Sequence, residues 1–496
     1  SAVQKLDKLL LTGSQKMWIF DAVLMSRISW DLLIHDMSPS FVAGLGALQT
    51  RKYKEWSHYA KTGNPTVFYR QSKHFGLQMK EMVPFFKKNQ LIKCHLLSTS
   101  SDEDVCKLYQ VRADREHQAK QSNDPVAKGT WRPTVELKPL LSEAKARKMI
   151  QGAKSGTGGL GLAPQKKKQD ATAEERAEVL RAFEDITEEQ RYIHSLSLEH
   201  FSEWVKWDNV LATDPQWTRW IMSGEDDLFR FNLAATEDVL PTPSVLKCWQ
   251  IVTDASCKLC GHKNCTLRHI LCGCQTALKQ GRQTWRHDSI LYALYQQIRS
   301  MRNHGAAAHK LGLKPKEAHS SFVSTKGNKF NTVSTPAAVP LFETSDDWQL
   351  QFDITVKSDS QSKNAAFPPH IAATSCRPDA VIWSDKLKTV VWIELTSPWE
   401  ENMTKWHFRK HEKYNKLATT VRNKGWKVHP LCVEVGCRGF TGHNWQHMAR
   451  TLNMKKGMNK RLKMRVAQVA QRCSYYLYLN HKNREWSHPP LHGARD

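Results

Sequence analysis

Between residues 349 and 434 the apolar positions switch between a two-residue period and a helical one, and the switches mark out elements. Residues 349–356 (QLQFDITV) alternate as a strand. Residues 380–383 (AVIW) and 389–393 (TVVWI) are rich in β-branched and aromatic side chains and read as two more strands. Met403, His407, Lys410, Tyr414, Leu417 and Val421 then step by three or four, which is one stripe of a helix. Gly425 is placed to end that helix, and residues 426–434 read as another strand. Upstream, Ile290, Leu291, Leu294, Ile298 and Met301 predict a helix over 285–301. The order is helix, three strands, helix, strand.

Polar residues 384–388 are short enough for a hairpin loop. A hairpin symmetric about Lys386 and Leu387 puts Asp379 opposite Glu394, with Cβ atoms about 5 Å apart. A one-residue slip would send the two to opposite faces. Ser397 as N-cap, Pro398 at the first helical position and Glu400 in a capping box predict where the next helix begins. Lys410 falls within the apolar stripe of that helix. A lysine rarely points inward without a partner, and the two carboxylates are the nearest candidates; Lys413, at the edge of the stripe, is the second choice. Two carboxylates and a lysine can hold Mg²⁺ (or Mn²⁺) and activate water for phosphodiester cleavage. Arg377 could ground a neighbouring phosphate, and Tyr414 would brace Lys410 or touch DNA. The alternative for the same residues is a structural hairpin with an incidental ion pair.

Elsewhere the pattern predicts organisation more than chemistry. Residues 1–112 are aromatic-rich and mostly helical by pattern, residues 113–190 read as a basic flexible linker, and residues 191–250 as a helical, Trp-rich region. Residues 251–284 carry a cysteine cluster, 285–445 the strand-and-helix set above, and 446–496 a basic helix. Residues 305–345 are low in aromatics and read as loop. The glycines of 156–161 match G-x-G-x-x-G, but no strand precedes them and no helix opens on the third, so a dinucleotide site is not expected. Trp204, Trp207, Trp217 and Trp220 read as packed helical residues, with base stacking as the other possibility. No run of about 20 apolar residues exists, so no membrane span is expected.

The net charge of +25 over 496 residues changes this picture, because it calls for a polyanionic partner. Lys166, Lys167 and Lys168 on the basic arm, Lys460 and Arg461 on the C-terminal helix, and Arg286 and His287 before the strands are candidate DNA contacts. Arg286 and His287 could equally cap the helix they open, and the C-terminal cations could be a solvated face. The lysine run also fits nuclear import. Adjacent aspartates occur at Asp226-Asp227 and Asp346-Asp347, and neither pair sits in the strand–turn–strand setting that polymerase chemistry needs. The chain begins Ser1-Ala2-Val3, which suggests an excised or incomplete chain.

The 12 cysteines are unevenly spread, which argues against a disulfide framework. Cys257, Cys260, His269 and Cys274 form a four-ligand set suited to structural Zn²⁺. Cys265 and Cys272 lie in the same stretch and could compete.

Two strings carry a resemblance. The order of elements, with Pro378-Asp379 before the second strand and Glu394 on the third, resembles the PD-(D/E)xK restriction-like nuclease core. The string RPD…ELTSPWE…RKHEKYNKL resembles the endonuclease at the C-terminus of site-specific non-LTR retrotransposon proteins. Where the simple nuclease pattern has a lysine two residues after the glutamate, this chain has Thr396. In the retrotransposon family the following helix supplies the lysine, which matches Lys410. The same family places a Cys-Cys-His-Cys knuckle just before its endonuclease, and residues 280–288 (QGRQTWRHD) are similar to its junction. The string KMWIFDAVLMSRISWDLLIHDM and Lys54-Glu55-Trp56 resemble the thumb that follows a reverse-transcriptase palm, and residues 228–249 resemble the family's linker.

The resemblance implies a multidomain chain: helical thumb-like region, zinc knuckle, then an α/β endonuclease with an α-β-β-β-α-β core. It implies target-DNA nicking, element RNA and the polymerase palm of the full-length protein as further partners, and a nuclear location with cytoplasmic transit. The rival is a catalytically silent DNA- or RNA-binding module. A host protein built from a captured element is a third reading.

Overall fold

The computed structural model describes residues 2–154, 168–198, 203–207, 221–222, 224–310, 321–323, 329–331, 339–355, 363–487 and 489–491. The chain divides into two compact units, residues 1–205 with 212–239, and residues 206–211 with 240–496.

The described part of the first unit is helical. Its main helices are α1 (Pro39–Trp56), α2 (Met82–Ser98), α3 (Glu103–Gln121), α4 (Pro133–Lys154) and α5 (Lys168–Leu196). Tyr53 on α1 anchors an aromatic cluster with Phe20, Trp56, Phe68 and Tyr69, ring centroids 5.5–6.2 Å apart. Arg70 and Glu237 form a fully buried ion pair. The linker expected over 113–190 is instead packed helix where it is described: Leu137, Leu140 and Ala144 of α4 pack with Val179 and Ala182 of α5 against Leu91 and Cys94 of α2. The apolar positions there are sparse, and the many charges around them masked the stripe. Trp204 is buried and lies under the Arg70 guanidinium, 4.4 Å from the ring centre. Trp217, Trp220, Lys166, Lys167 and glycines 156–161 lie outside the described residues, as does the side chain of Lys168.

The second unit is built on a four-stranded mixed sheet in the order β1 (Gln349–Phe352), β2 (Ala380–Ser384), β3 (Thr389–Thr396), β4 (Lys427–Glu434). The first two pairings are antiparallel and β3–β4 is parallel. Helix α6 (Arg282–Lys310) precedes the sheet, α7 (Met403–Asn423) crosses from β3 to β4, and α8 (Asn444–Thr451) and α9 (Lys456–Leu479) follow. Val381, Val390 and Trp392 face α7, packing on Tyr414, Leu417, Ala418 and Val421. The other face, carrying Phe352, Ala380 and Ile393, meets α6, where Tyr295 packs edge-on against Phe352.

The β2–β3 register pairs Ala380 with Ile393 and Val381 with Trp392, as the symmetric turn requires. Asp347 staples that turn: it accepts from Ser384 Oγ (2.5 Å) and from the Lys386 N–H (2.9 Å). Burial works against its charge, but those donors bring the Asp347 carboxyl down to about 2. Asp226 and Asp227, the other adjacent pair, open a short helix over Asp226–Thr236.

Three boundaries differ from expectation. α6 runs on to Lys310, and Ser321–Val323 pairs with Lys329–Asn331, so 305–345 is not simply loop. The basic C-terminal segment is two helices, and Leu462, Val466, Val469 and Leu477 of α9 are buried. The capping box at Ser397 and Glu400 does not form. A short 3₁₀ turn occupies Glu400–Asn402 and α7 starts at Met403. Glu400 is drawn away by Arg438, accepting from its backbone N–H and its Nε at 2.8 Å each. At the far end, Gly425 takes φ +79°, and its N–H bonds the Arg422 carbonyl at 2.9 Å.

Candidate active site and metal centre

The paired strands bring Asp379 and Glu394 to one edge of the α7 face, because each continues the register of its neighbour. α7 delivers two side chains from above. Lys410 Nζ donates to Glu394 Oε1, and Tyr414 Oη donates to Glu394 Oε2 at 2.7 Å. Lys413 Nζ stands 3.8 Å from Glu394 Oε1 and 4.6 Å from the centre of the Tyr414 ring. Tyr414 Oη also lies 2.9 Å from the Arg377 carbonyl, tying the helix to the segment that enters β2. Burial, then the Glu394 carboxylate beside it, raises the Tyr414 pKa, so the phenol stays a donor. The Glu394 side chain is 2 % exposed and that of Asp379 15 %, so the site opens on the aspartate side.

Asp379 is held from two directions. Its Oδ2 accepts from the Leu395 N–H at 2.6 Å, and His287 Nε2 of α6 lies 3.3 Å away. No hydrogen bond reaches Oδ1 among the described residues. Burial opposes the charge, but the His287 ring holds the Asp379 carboxyl below the usual range. His287 Nε2 is also 3.2 Å from the Leu395 carbonyl, and its Nδ1 is 3.1 Å from Asp288, which Lys363 pairs in turn. Burial would lower the His287 pKa, but Asp379 and Asp288 on either side lift it to about 10.

His287 does not cap the helix: it lies inside α6 and faces the two acids' edge. Arg286 does not lie at the surface or at the helix end. It is buried, and its guanidinium bonds Ser474 Oγ (3.3 Å), Cys272 Sγ (3.6 Å) and the Ser397 carbonyl (3.1 Å). Arg377 is exposed and reaches Asn364 at 3.3 Å. Lys460 and Arg461 are exposed on α9.

A donor set of two carboxylates, one with a free oxygen, fits Mg²⁺, which takes one or two carboxylates and keeps several waters. A second centre lies at the start of the unit. The ligand atoms of Cys257, Cys260, His269 and Cys274 are all within 4.8 Å of one another. Cys257 and Cys274 sulfurs are 4.0 Å apart, and Cys260 Sγ is 3.3 Å from His269 Nε2. Tetrahedral zinc bonds imply edges of roughly 3.5–3.8 Å, so this set can close on a structural metal such as Zn²⁺. His262 stacks on His269 at 4.6 Å between ring centres. Cys265 and Cys272 stay outside the cluster, the latter turned toward Arg286.

Comparison with known proteins returned no matching family model and no matching curated sequence. Among the described residues, no helix is long and apolar enough to cross a membrane.

Proposed function

We propose that residues 240–496 carry a metal-dependent DNA endonuclease, and that the chain is the C-terminal part of a non-LTR retrotransposon protein without its polymerase palm. The carrying observation is the lysine of α7 seated on Glu394 beside an aspartate with one oxygen unengaged. In this reading Asp379 and Glu394 hold Mg²⁺. The bound ion would supply positive charge for the phosphoryl oxygens and lower the pKa of a nearby water.

The remaining work falls to side chains. Lys410 orients the nucleophile or balances charge growing on the phosphate. Tyr414 fixes the second oxygen of Glu394, and His287 holds Oδ2 of Asp379 while Oδ1 takes no hydrogen bond among the described residues. Arg377, exposed just before β2, would turn from Asn364 to meet a neighbouring phosphate. Target DNA is the substrate, with element RNA and the palm of the full-length protein as partners in the nucleus.

Plasmid nicking with Mg²⁺ is the test. Wild type should convert supercoiled DNA to open circles, and Asp379→Ala should not. Equal nicking by both, or none by either, would remove the proposal. A silent DNA- or RNA-binding module is the second reading. It is favoured by the crowding of His287, Lys410 and Lys413 around the two acids, which balances their charge without an ion.

A further inference from the structure

α7 carries six Lys or Arg residues and a single acid, Glu412. Four of the cations fall on one exposed strip: Lys405, Arg409 and Lys413 at successive steps of four, and Lys416 beside them. Among the described residues, Lys405, Arg409 and Lys416 have no acidic partner. Arg409 instead lies 5.1 Å from the centre of the Trp406 ring, which stiffens it. The strip passes the site, where Lys413 stands 3.8 Å from Glu394.

A solvated helix face usually intersperses acids with its cations. Here like charges stand one turn apart and repel, a cost that a bound polyanion would remove. We infer that this strip is a phosphate track that leads the backbone of the cut DNA strand to Asp379 and Glu394. The inference rests on the nuclease reading for its direction. From Lys405 to Lys416 is about 16 Å at 1.5 Å per residue. That is the rise of roughly five nucleotides at 3.4 Å per phosphate on one strand. The track therefore recognises charge and spacing and carries no base code.

The test uses the full chain, a short DNA duplex and Ca²⁺ in place of Mg²⁺, so that binding is read without cleavage. Anisotropy titrations over a range of salt give the slope of log K against log salt. The triple variant Lys405→Gln, Arg409→Gln, Lys416→Gln leaves Lys410 and Lys413 intact. Its slope should be shallower by about 2 to 3, since each lost phosphate contact removes roughly 0.7–0.9. The charge-keeping triple Lys405→Arg, Arg409→Lys, Lys416→Arg should retain the wild-type slope, and both should melt as wild type does. An unchanged slope in the Gln triple, or no duplex binding by wild type, overturns the track. Failure of the two readings is separable. A shallower slope with no nicking by wild type leaves the track and removes the nuclease. An unchanged slope with Asp379-dependent nicking does the reverse.

Discussion

At the residue scale, the site is held by hydrogen bonds to carboxylate oxygens, and each bond has its own consequence. Lys410→Met removes the ammonium that pairs Glu394 and, in the nuclease reading, balances charge building on the phosphate. Nicking should fall by about 10²–10³ while DNA binding persists, the size seen when one preorganised charge-stabilising donor is lost. His287→Ala removes one of the two contacts to Asp379 Oδ2 and the contact to the Leu395 carbonyl together. Supporting shells of this kind cost about 10–100-fold in metal affinity or activity. The Mg²⁺ concentration for half-maximal nicking should rise, and His287→Gln, which keeps an N–H donor, should recover part of the loss. An unchanged Mg²⁺ dependence in the Ala variant would show that His287 is not a positioning residue. The same reasoning that turns Lys410 inward also explains why neither His287 nor Arg286 caps α6. Both sit three or four residues before Ile290 and Leu291, on the apolar stripe of α6, and inward charge on a helix stripe is the signal. Applied to α6 as it was to α7, it would have pointed Arg286 and His287 toward the core.

At the element scale, the segment between β3 and α7 depends on a buried acid. Glu400 pairs with Arg438, whose guanidinium is sandwiched between Trp399 and Trp207, 3.7 and 4.2 Å from their ring centres. Glu400→Ala takes the Glu400 carboxylate away from that buried guanidinium. It should destabilise the second unit by about 3–5 kcal/mol, the usual result of breaking a buried pair from one side, measured by chemical denaturation. Gly436 is part of this arrangement, because a Cβ there would fall 2.4 Å from Glu400 Oε1. A second clamp joins α7 to β4: His407 Nδ1 lies 2.9 Å from the buried Glu434, which Asn444 also approaches at 3.2 Å. The Glu434 contact raises the His407 pKa, against a lesser effect of burial. The stabilisation is therefore complete below the unfolded value of about 6.5 and fades as pH climbs through the higher folded value. His407→Gln should flatten that part of the stability profile, and an identical profile would exclude the clamp. The hairpin register was legible because β-branched runs and a short polar turn are local signals, although Asp347 staples the turn from a distance of 37 residues in sequence. The start of α7 was not, because Glu400 answers to Arg438, 38 residues further on, and a capping motif carries no sign of a distant competitor.

At the scale of the whole molecule, what the sequence disclosed was two kinds of region, helical first and then mixed, with a metal cluster early in the second unit. It did not disclose that 133–154 packs as helix, although 171–201 reads as helical by composition, since a few buried Leu and Ala among many charges leave only a thin stripe. The cluster governs the last prediction. Residues 251–281 contain little regular structure and bury only a few apolar side chains, among them Leu267, Ile270, Leu271 and Ala277, so a bound metal would add to what that small core supplies. Structural zinc in such segments supplies on the order of 10–16 kcal/mol, and all of it is folding energy. Cys274 leads through the short helix Gln275–Lys279 directly into α6, the helix that presents His287 to Asp379. Loss of the metal should therefore travel first along that route. The purified chain is expected to hold one zinc per molecule, and Cys260→Ala to lose it. On chelation, amide exchange should accelerate over 255–290 before it does in β2, β3 or α7, whose cores are sealed by Trp392, Tyr414 and Val421. Uniform acceleration across the second unit would mean that the cluster supports the sheet itself. Full protection without zinc would mean that these four residues never relied on a metal.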